Sequence, residues 1–266
     1  MVYMLTYGGG LVGGDAVDLS VTVQPGVKLV LLSQGTTKVF KTRLGRRLAA
    51  VSSHPPLESH QISVSTKQNI TFRIARGSVL VLLPGPVTCF RDASYDQTQR
   101  FYVEHSGSVV ALDWITSGRM SMGEEWLFSR YYSLNEILLD EIRLVKDVML
   151  LSSGQLGKGI PDRTLKERLA PYSCYATLFL YGPHLRDVIA AITSRYALIT
   201  VFKTREPTEL IWSLSPIEPA RHELEGQGVV VRVAGRTTEM VKDWLKEALS
   251  GLEAVVGRNY YKRAFP

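Results

Sequence analysis

Cysteine is scarce: Cys89 and Cys174 are the only two in 266 residues. That excludes a disulfide-stapled scaffold and a thiolate zinc site, and it makes a reduced, cytoplasmic protein the expectation. Long apolar runs are also lacking; none approaches the roughly 20 residues of a membrane-crossing helix. No basic segment followed by an apolar core marks secretion. Among His54, His60, His105, His184 and His222 there is no H-x-H, H-x3-H or H-E-x-x-H pairing. Only His54 and His60 share a loop, which amounts to a weak metal contact at most. No G-K-[ST] closes a phosphate loop, and no G-x-S-x-G elbow carries a serine nucleophile. Charge of one sign is not concentrated either. The net charge is +6, but the basic residues are spread out apart from "KTRLGRR" at 41–47. With no nucleic-acid-binding motif beside it, that cluster reads as a solvated loop, and no nucleic-acid partner is expected.

Glycine, by contrast, is concentrated in "YGGGLVGGD" (7–15). Gly8, Gly10 and Gly13 fit G-x-G-x-x-G, which would serve a dinucleotide only with a strand before it and a helix after it. The run that follows Asp15 alternates Val17, Leu19, Val21 and Val23 with Asp18, Ser20, Thr22 and Gln24. Period two predicts an amphipathic strand rather than a helix. A nucleotide-dependent enzyme using the Gly8–Gly13 loop is therefore the alternative reading. A tight connection between strands is the favoured one.

Residues 1–150 read as a β-rich layered body. Strands are expected at 27–33, 69–74, 78–85, 100–105, 108–115 and 136–144. Three segments share one plan: "VTVQPGVKLVLLS", "TFRIARGSVLVLLP" and "YVEHSGSVVALDW". In each, an alternating strand meets a turn glycine (Gly26, Gly77, Gly107), and a more continuously apolar strand follows. Hairpins of one kind suggest stacked layers that cover each other's apolar faces, although a plain β-sandwich would give a similar pattern. Residues 43–61 and 152–173 read as connections, the second with room for a short helix. Beyond them, 174–266 reads as a strand-helix-strand-helix region packed on the body as part of one continuous domain. Its helices are expected over 182–196 and 237–252, the second capped by Thr238 and ended by Gly251. Strands are expected at 198–202, 209–215 and 228–235. The fold class is mainly β: β-helical, two-layer stacked sheets with two α-helices in the C-terminal third.

No catalytic constellation emerges. Cys89 reads as a small buried apolar residue. The carboxylates are more telling. Asp113 interrupts the apolar strand "SVVALDWI", Asp140 and Glu141 lie within "ILLDEIRL", and Asp15 closes the glycine loop. A carboxylate in a buried strand costs several kcal/mol, roughly, unless it is paired or hydrated. One reading pairs these acids with Arg119, Arg130 or Arg143. The other is a hydrated internal path of oxygen ligands, which hold divalent ions weakly and exchange them quickly. A β-solenoid module for an anionic ligand is a further alternative.

"YGGGLVGGD", followed by Pro25-Gly26 and Thr37-Lys38-Val39-Phe40, resembles the UreD (UreH) family of urease accessory proteins. So do "VLLPGPVTCFRDASYDQ" and "ALDWITSGRMSMGEEW", where Asp113, Gly118, Arg119, Gly123 and Glu124 carry a family segment. Here Trp114 follows the aspartate rather than preceding it. The extended 43–61 loop looks like that of eukaryotic, particularly fungal, members; family members usually carry a few dozen residues with early strands ahead of the glycine loop, and a truncated or short form is the expectation here. The resemblance implies a β-helical, non-enzymatic metallochaperone scaffold. It implies binding to UreF, through UreF to the GTPase UreG, and to the urease apoprotein, in a dimer of heteromers. No tightly bound cofactor is implied; nickel is in transit through an internal tunnel. Asp15, Asp113, Asp140 and Glu141 would line or border that route. Gly9, Gly10, Gly13 and Gly14 would form a close-packed turn, with Thr37 and Lys38 shaping the same region.

Overall fold

The computed structural model describes residues 1–5, 7–41, 65–153, 163–199, 208–217 and 228–265. In chain order its strands begin with β1 (Val2–Met4), β2 (Ala16–Val23), β3 (Lys28–Ser33) and β4 (Thr37–Val39). They continue with β5 (Thr66–Ile74), β6 (Val79–Leu83), β7 (Val87–Cys89), β8 (Ser94–Val103) and β9 (Ser108–Thr116). A hairpin of β10 (Arg130–Leu139) and β11 (Ile142–Ser152) leads to a short helix, α1 (Leu165–Leu169). After it come β12 (Cys174–Tyr181), α2 (Arg186–Ala197), β13 (Leu210–Ile217) and β14 (Gly228–Gly235), then α3 (Thr238–Ala248), α4 (Leu252–Val256) and α5 (Arg258–Ala264).

The three repeated segments are three coils of a stack. Each contributes its first strand to one sheet, turns, and contributes its second strand to another. Thus β2, β5 and β8 pair in parallel, with Val23, Ile74 and Val103 in one row. The strands β3, β6 and β9 likewise pair in parallel in the second sheet. Parallel pairing follows from the repetition itself, because successive coils run in the same sense. The first sheet is completed by β10 and β11, in the order β11-β10-β8-β5-β2. The second extends past β9 through β12, β14 and β13, all antiparallel.

The difference in hydrophobic pattern between the two strands of each segment now has a cause. The larger sheet is covered on both faces. One face meets α2, α3 and α4 through Val188, Ile192, Val241, Leu245 and Leu252; the other meets the smaller sheet through Leu80, Leu82, Val109 and Phe179. Strands buried on both faces read as continuous apolar runs. The smaller sheet has one solvent face, so β5 and β8 alternate.

Two of the three turn glycines are needed for backbone conformation. Gly26 and Gly77 sit at φ 72° and 67°, a left-handed geometry that glycine adopts at no steric cost. In the third turn the left-handed residue is Ser106, at φ 65°. The expected turn residue Gly107 comes one position later, where a Cβ would meet Val103 Cγ1 at 2.9 Å.

Other expectations are corrected. Residues 136–144 are not one strand: the chain reverses at Asp140 and Glu141, at φ 44° and 67°, between β10 and β11. Leu198 caps α2 instead of opening a strand, and 200–202 lie outside the described residues. The cap of α3 is Thr237, whose Oγ1 accepts the Met240 N–H at 3.2 Å, rather than Thr238. The helix stops at Ala248, short of Gly251.

Candidate functional site

The glycine loop leads into β2, a strand, so the helix N-terminus that a dinucleotide phosphate needs is not there. The loop instead docks on β4. Leu11 N–H donates to Lys38 O and Phe40 N–H to Leu11 O, both at 2.8 Å. That approach requires a glycine at position 10, where a Cβ would stand 2.6 Å from Lys38 O and 2.7 Å from the Phe40 ring. Asp15 fastens the loop by accepting the Val12 N–H at 2.7 Å.

From this loop a polar strip runs between the sheets. Thr66 Oγ1 donates to Val12 O at 3.1 Å. Thr66, Tyr95 and Tyr131 form one inward row of the smaller sheet; Gln68, Gln97 and Ser133 form the next; Ile70, Gln99 and Asn135 form the third. The strip ends at the stacked rings of Phe72 and Phe101, 4.9 Å apart, beyond which the interior is apolar.

Asp113, on β9 of the larger sheet, faces the strip and is 8% exposed. Its Oδ2 accepts from Ser133 Oγ at 2.5 Å and Asn135 Nδ2 at 2.8 Å. Its Oδ1 accepts from Gln97 Nε2 and Tyr131 OH, both at 3.2 Å. Every one of these donors is neutral. The three arginines considered as partners are engaged elsewhere. Arg119 forms a two-pronged pair with Glu124, Nη2 to Oε1 at 2.6 Å and Nε to Oε2 at 2.8 Å. Arg130 pairs with Asp96 and Arg143 with Glu136. The salt-bridge expectation for Asp113 is therefore overturned.

Burial pushes the Asp113 carboxyl above the usual carboxylate range, and the four donated hydrogen bonds pull it back only in part. Burial likewise raises the Tyr95 and Tyr131 hydroxyls and the Cys89 thiol. Cys89 thus stays a thiol, which binds metal poorly compared with a thiolate. Glu124 moves the other way, lowered chiefly by the Arg119 hydrogen bonds.

Beside Asp113 lies a cavity of about 30 Å³, lined in part by Thr37, Gln68, Gln97, Gln99 and Trp114. That is room for a water molecule with several polar partners. Gln99 Oε1 is buried and has no hydrogen-bond partner among the described residues.

The sequence-derived site residues do not converge. Asp113 is interior, and Thr37 lines its cavity. Asp15 is half-buried in the glycine loop, Lys38 is exposed on β4, and Asp140 and Glu141 are exposed at the hairpin tip. Among the described residues no three His, Cys, Asp or Glu side chains gather in a metal-binding group. His54, His60 and His222 lie outside the described residues, as does most of 41–47. No described helix is long and apolar enough to cross a membrane. Gln97, Tyr131, Ser133 and Asn135, the shell of Asp113, went unrecognised in the sequence. The available signal was parity: Gln97 and Gln99 fall on the same alternate positions of β8 as the buried Phe101 and Val103.

A family model described as UreD urease accessory protein matches residues 1–264. The chain is 36% identical over 275 residues to urease accessory protein 4 of Cryptococcus neoformans, covering 99% of this chain and 82% of that one. It is 32% identical to urease accessory protein D of Arabidopsis thaliana, over 98% of this chain and 85% of the relative. It is 30% identical to a UreD of Sorangium cellulosum, over 98% and 72%. A match along the whole coiled body, with fungal, plant and bacterial relatives agreeing, makes this chain a member of the UreD family of urease accessory proteins.

Proposed function

We propose that this chain is a non-catalytic scaffold for urease maturation that passes nickel through its interior to the urease active site. In this reading it binds UreF, recruits UreG through it, docks on the urease apoprotein, and works as a dimer of such heteromers. The relatives' names support the maturation role, and an accessory protein has no need of a reaction centre of its own.

The observation that carries the conduit is Asp113: an interior carboxylate with neutral donors only, beside a cavity of mixed polar and apolar lining. A buried charge without a counter-charge is costly, and a passing cation supplies the counter-charge. One carboxylate among amide and hydroxyl oxygens is a weak site for a divalent ion, which suits transit over storage. Asp15 anchors the entrance loop at the start of the polar strip. Asp140 and Glu141 border the route from an exposed turn.

The test is co-expression of the chain with urease and its other accessory proteins in a urease-free host. Asp113→Ala and Asp113→Asn are compared with wild type by urease activity and by the nickel content of purified urease. Both variants should yield nickel-poor urease while still co-purifying with UreF. Wild-type nickel content in both would remove Asp113 from the route and the conduit with it.

A further inference from the structure

The stacking register carries polar side chains across the molecule at right angles to the strands. On the smaller sheet, Gln99, Asn135 and Asp147 lie in one row over β8, β10 and β11. On the facing sheet, Asp113, Thr177 and Arg232 lie in one row over β9, β12 and β14. The rows are joined twice. Asn135 Nδ2 donates to Asp113 Oδ2 at 2.8 Å, and farther along Arg232 Nη2 stands 2.5 Å from Asp147 Oδ1. Asn135, bonded to Asp113, is the cross-strand neighbour of Asp147, which in turn pairs with Arg232.

Exposure dips at Asn135, which is 2% exposed, and rises from there to Arg232. Asp113 is 8% exposed, the Asp147 side chain 14% and the Arg232 side chain 49%. Gln99, in the row with Asp147, is 4% exposed, and its Oε1 has no hydrogen-bond partner among the described residues. A buried carbonyl oxygen left unpaired on the cavity beside Asp113, in the row that ends on Asp147, points to an oxygen-seeking occupant. The guanidinium at the open end is a cation already seated on the outermost carboxylate.

We propose that Asp147 is a second carboxylate station on the cation route and that Arg232 is its gate. At rest the guanidinium covers Asp147. A divalent cation arriving from Asp113 competes for the same oxygens and displaces the arginine toward solvent. Arg232 has somewhere to go: its neighbour across β13 is the exposed Ser213. The Asp147 backbone stays in place, since its strand is paired to β10 on both sides of it. The proposal rests on the nickel-conduit reading, and it adds a residue pair and an end to the passage.

The test uses the full chain co-expressed with urease and its accessory proteins, with nickel chloride titrated in the medium. Arg232→Gln uncovers Asp147 and should lower the nickel needed for half-maximal urease loading by about threefold, the scale of one half-exposed ion pair. Asp147→Asn should raise it, and the double variant should follow Asp147→Asn. Arg232→Lys, which keeps the charge, should stay near wild type. If the pair serves only to tie the sheets together, both single variants lose loading in the same direction and the double recovers part of it. That pattern, or no change in any variant, overturns the gate. Nickel content that is normal in Asp113→Asn sinks the conduit itself, whatever the Arg232 variants do, so the two failures are told apart.

Discussion

Asp113 makes stability depend on pH in a direction opposite to that of an ordinary paired carboxylate. Its folded pKa lies above the unfolded value of about 3.9, because burial outweighs four neutral hydrogen bonds. Between those two pKa values the folded chain holds a proton that the unfolded chain has released. Stability therefore falls as pH rises through this window, by at most about 1.36 kcal/mol per pH unit for one group, and levels off above the folded pKa. Asp113→Asn keeps the shape and cannot ionise, so it lacks this slope. It has its own cost: its amide turns two donors toward a shell that already donates through Ser133, Asn135, Gln97 and Tyr131. At least one of these groups then loses a partner, at about 1–3 kcal/mol. Urea unfolding of both proteins between pH 4 and 8 measures the two effects separately. The offset at low pH gives the mismatch, and the change in the difference with pH gives the ionisation. The asparagine variant should be less stable at pH 4 and gain on wild type as pH rises. A constant difference across the range would mean that Asp113 titrates normally and that its surroundings are not as dry as the geometry requires. A difference that widened with pH would mean a hidden cationic partner, and the account of Asp113 as an uncompensated interior charge would fail.

Gly10→Ala should cost about 1–3 kcal/mol as an overpacking change, since its Cβ would collide with Lys38 O; chemical denaturation against wild type reads the loss, and an unchanged midpoint would show that the loop is not pressed on β4. Gln99→Leu removes the unpaired buried carbonyl, so it should stabilise the fold by about 1 kcal/mol while lowering nickel loading of urease. A variant both less stable and fully active would contradict the place given to Gln99 Oε1.

The coil architecture was legible because it repeats. Alternation in β2, β5 and β8 and continuous apolar runs in β3, β6 and β9 reflect one wet face against none, a difference that composition must respect wherever the coils recur. The β10–β11 hairpin was not legible. Its turn uses Asp140 and Glu141 in left-handed conformation, with no glycine or asparagine to announce it. An uninterrupted "ILLDEIRL" then looks like one strand. Gly107 misled by a single position for a related reason: a glycine kept for close approach is indistinguishable in sequence from one kept for its φ.

The site was half legible on similar grounds. A carboxylate inside an apolar strand is visible to anyone counting residues, and Asp113 was found that way. Its environment was not, because it is a product of register across strands far apart in the chain. Gln97, Ser133 and Asn135 become neighbours of Asp113 only when β8 and β10 pair in parallel and the larger sheet closes over them. The same register separates Asp140, exposed at the hairpin turn, from Asp147, whose side chain is 14% exposed. Asp140 lies in the turn, where no partner row exists. Asp147 lies opposite Asn135 in the row that contains Gln99. In a stacked coil, inward positions on successive strands superpose, so a polar residue repeated at one height becomes a continuous row through the core. The cost of such a row grows with every layer it crosses. Its extension over β8, β10 and β11 through Gln99, Asn135 and Asp147, in a protein with large apolar layers on either side, is the strongest physical reason to look for a function in the interior instead of on the surface.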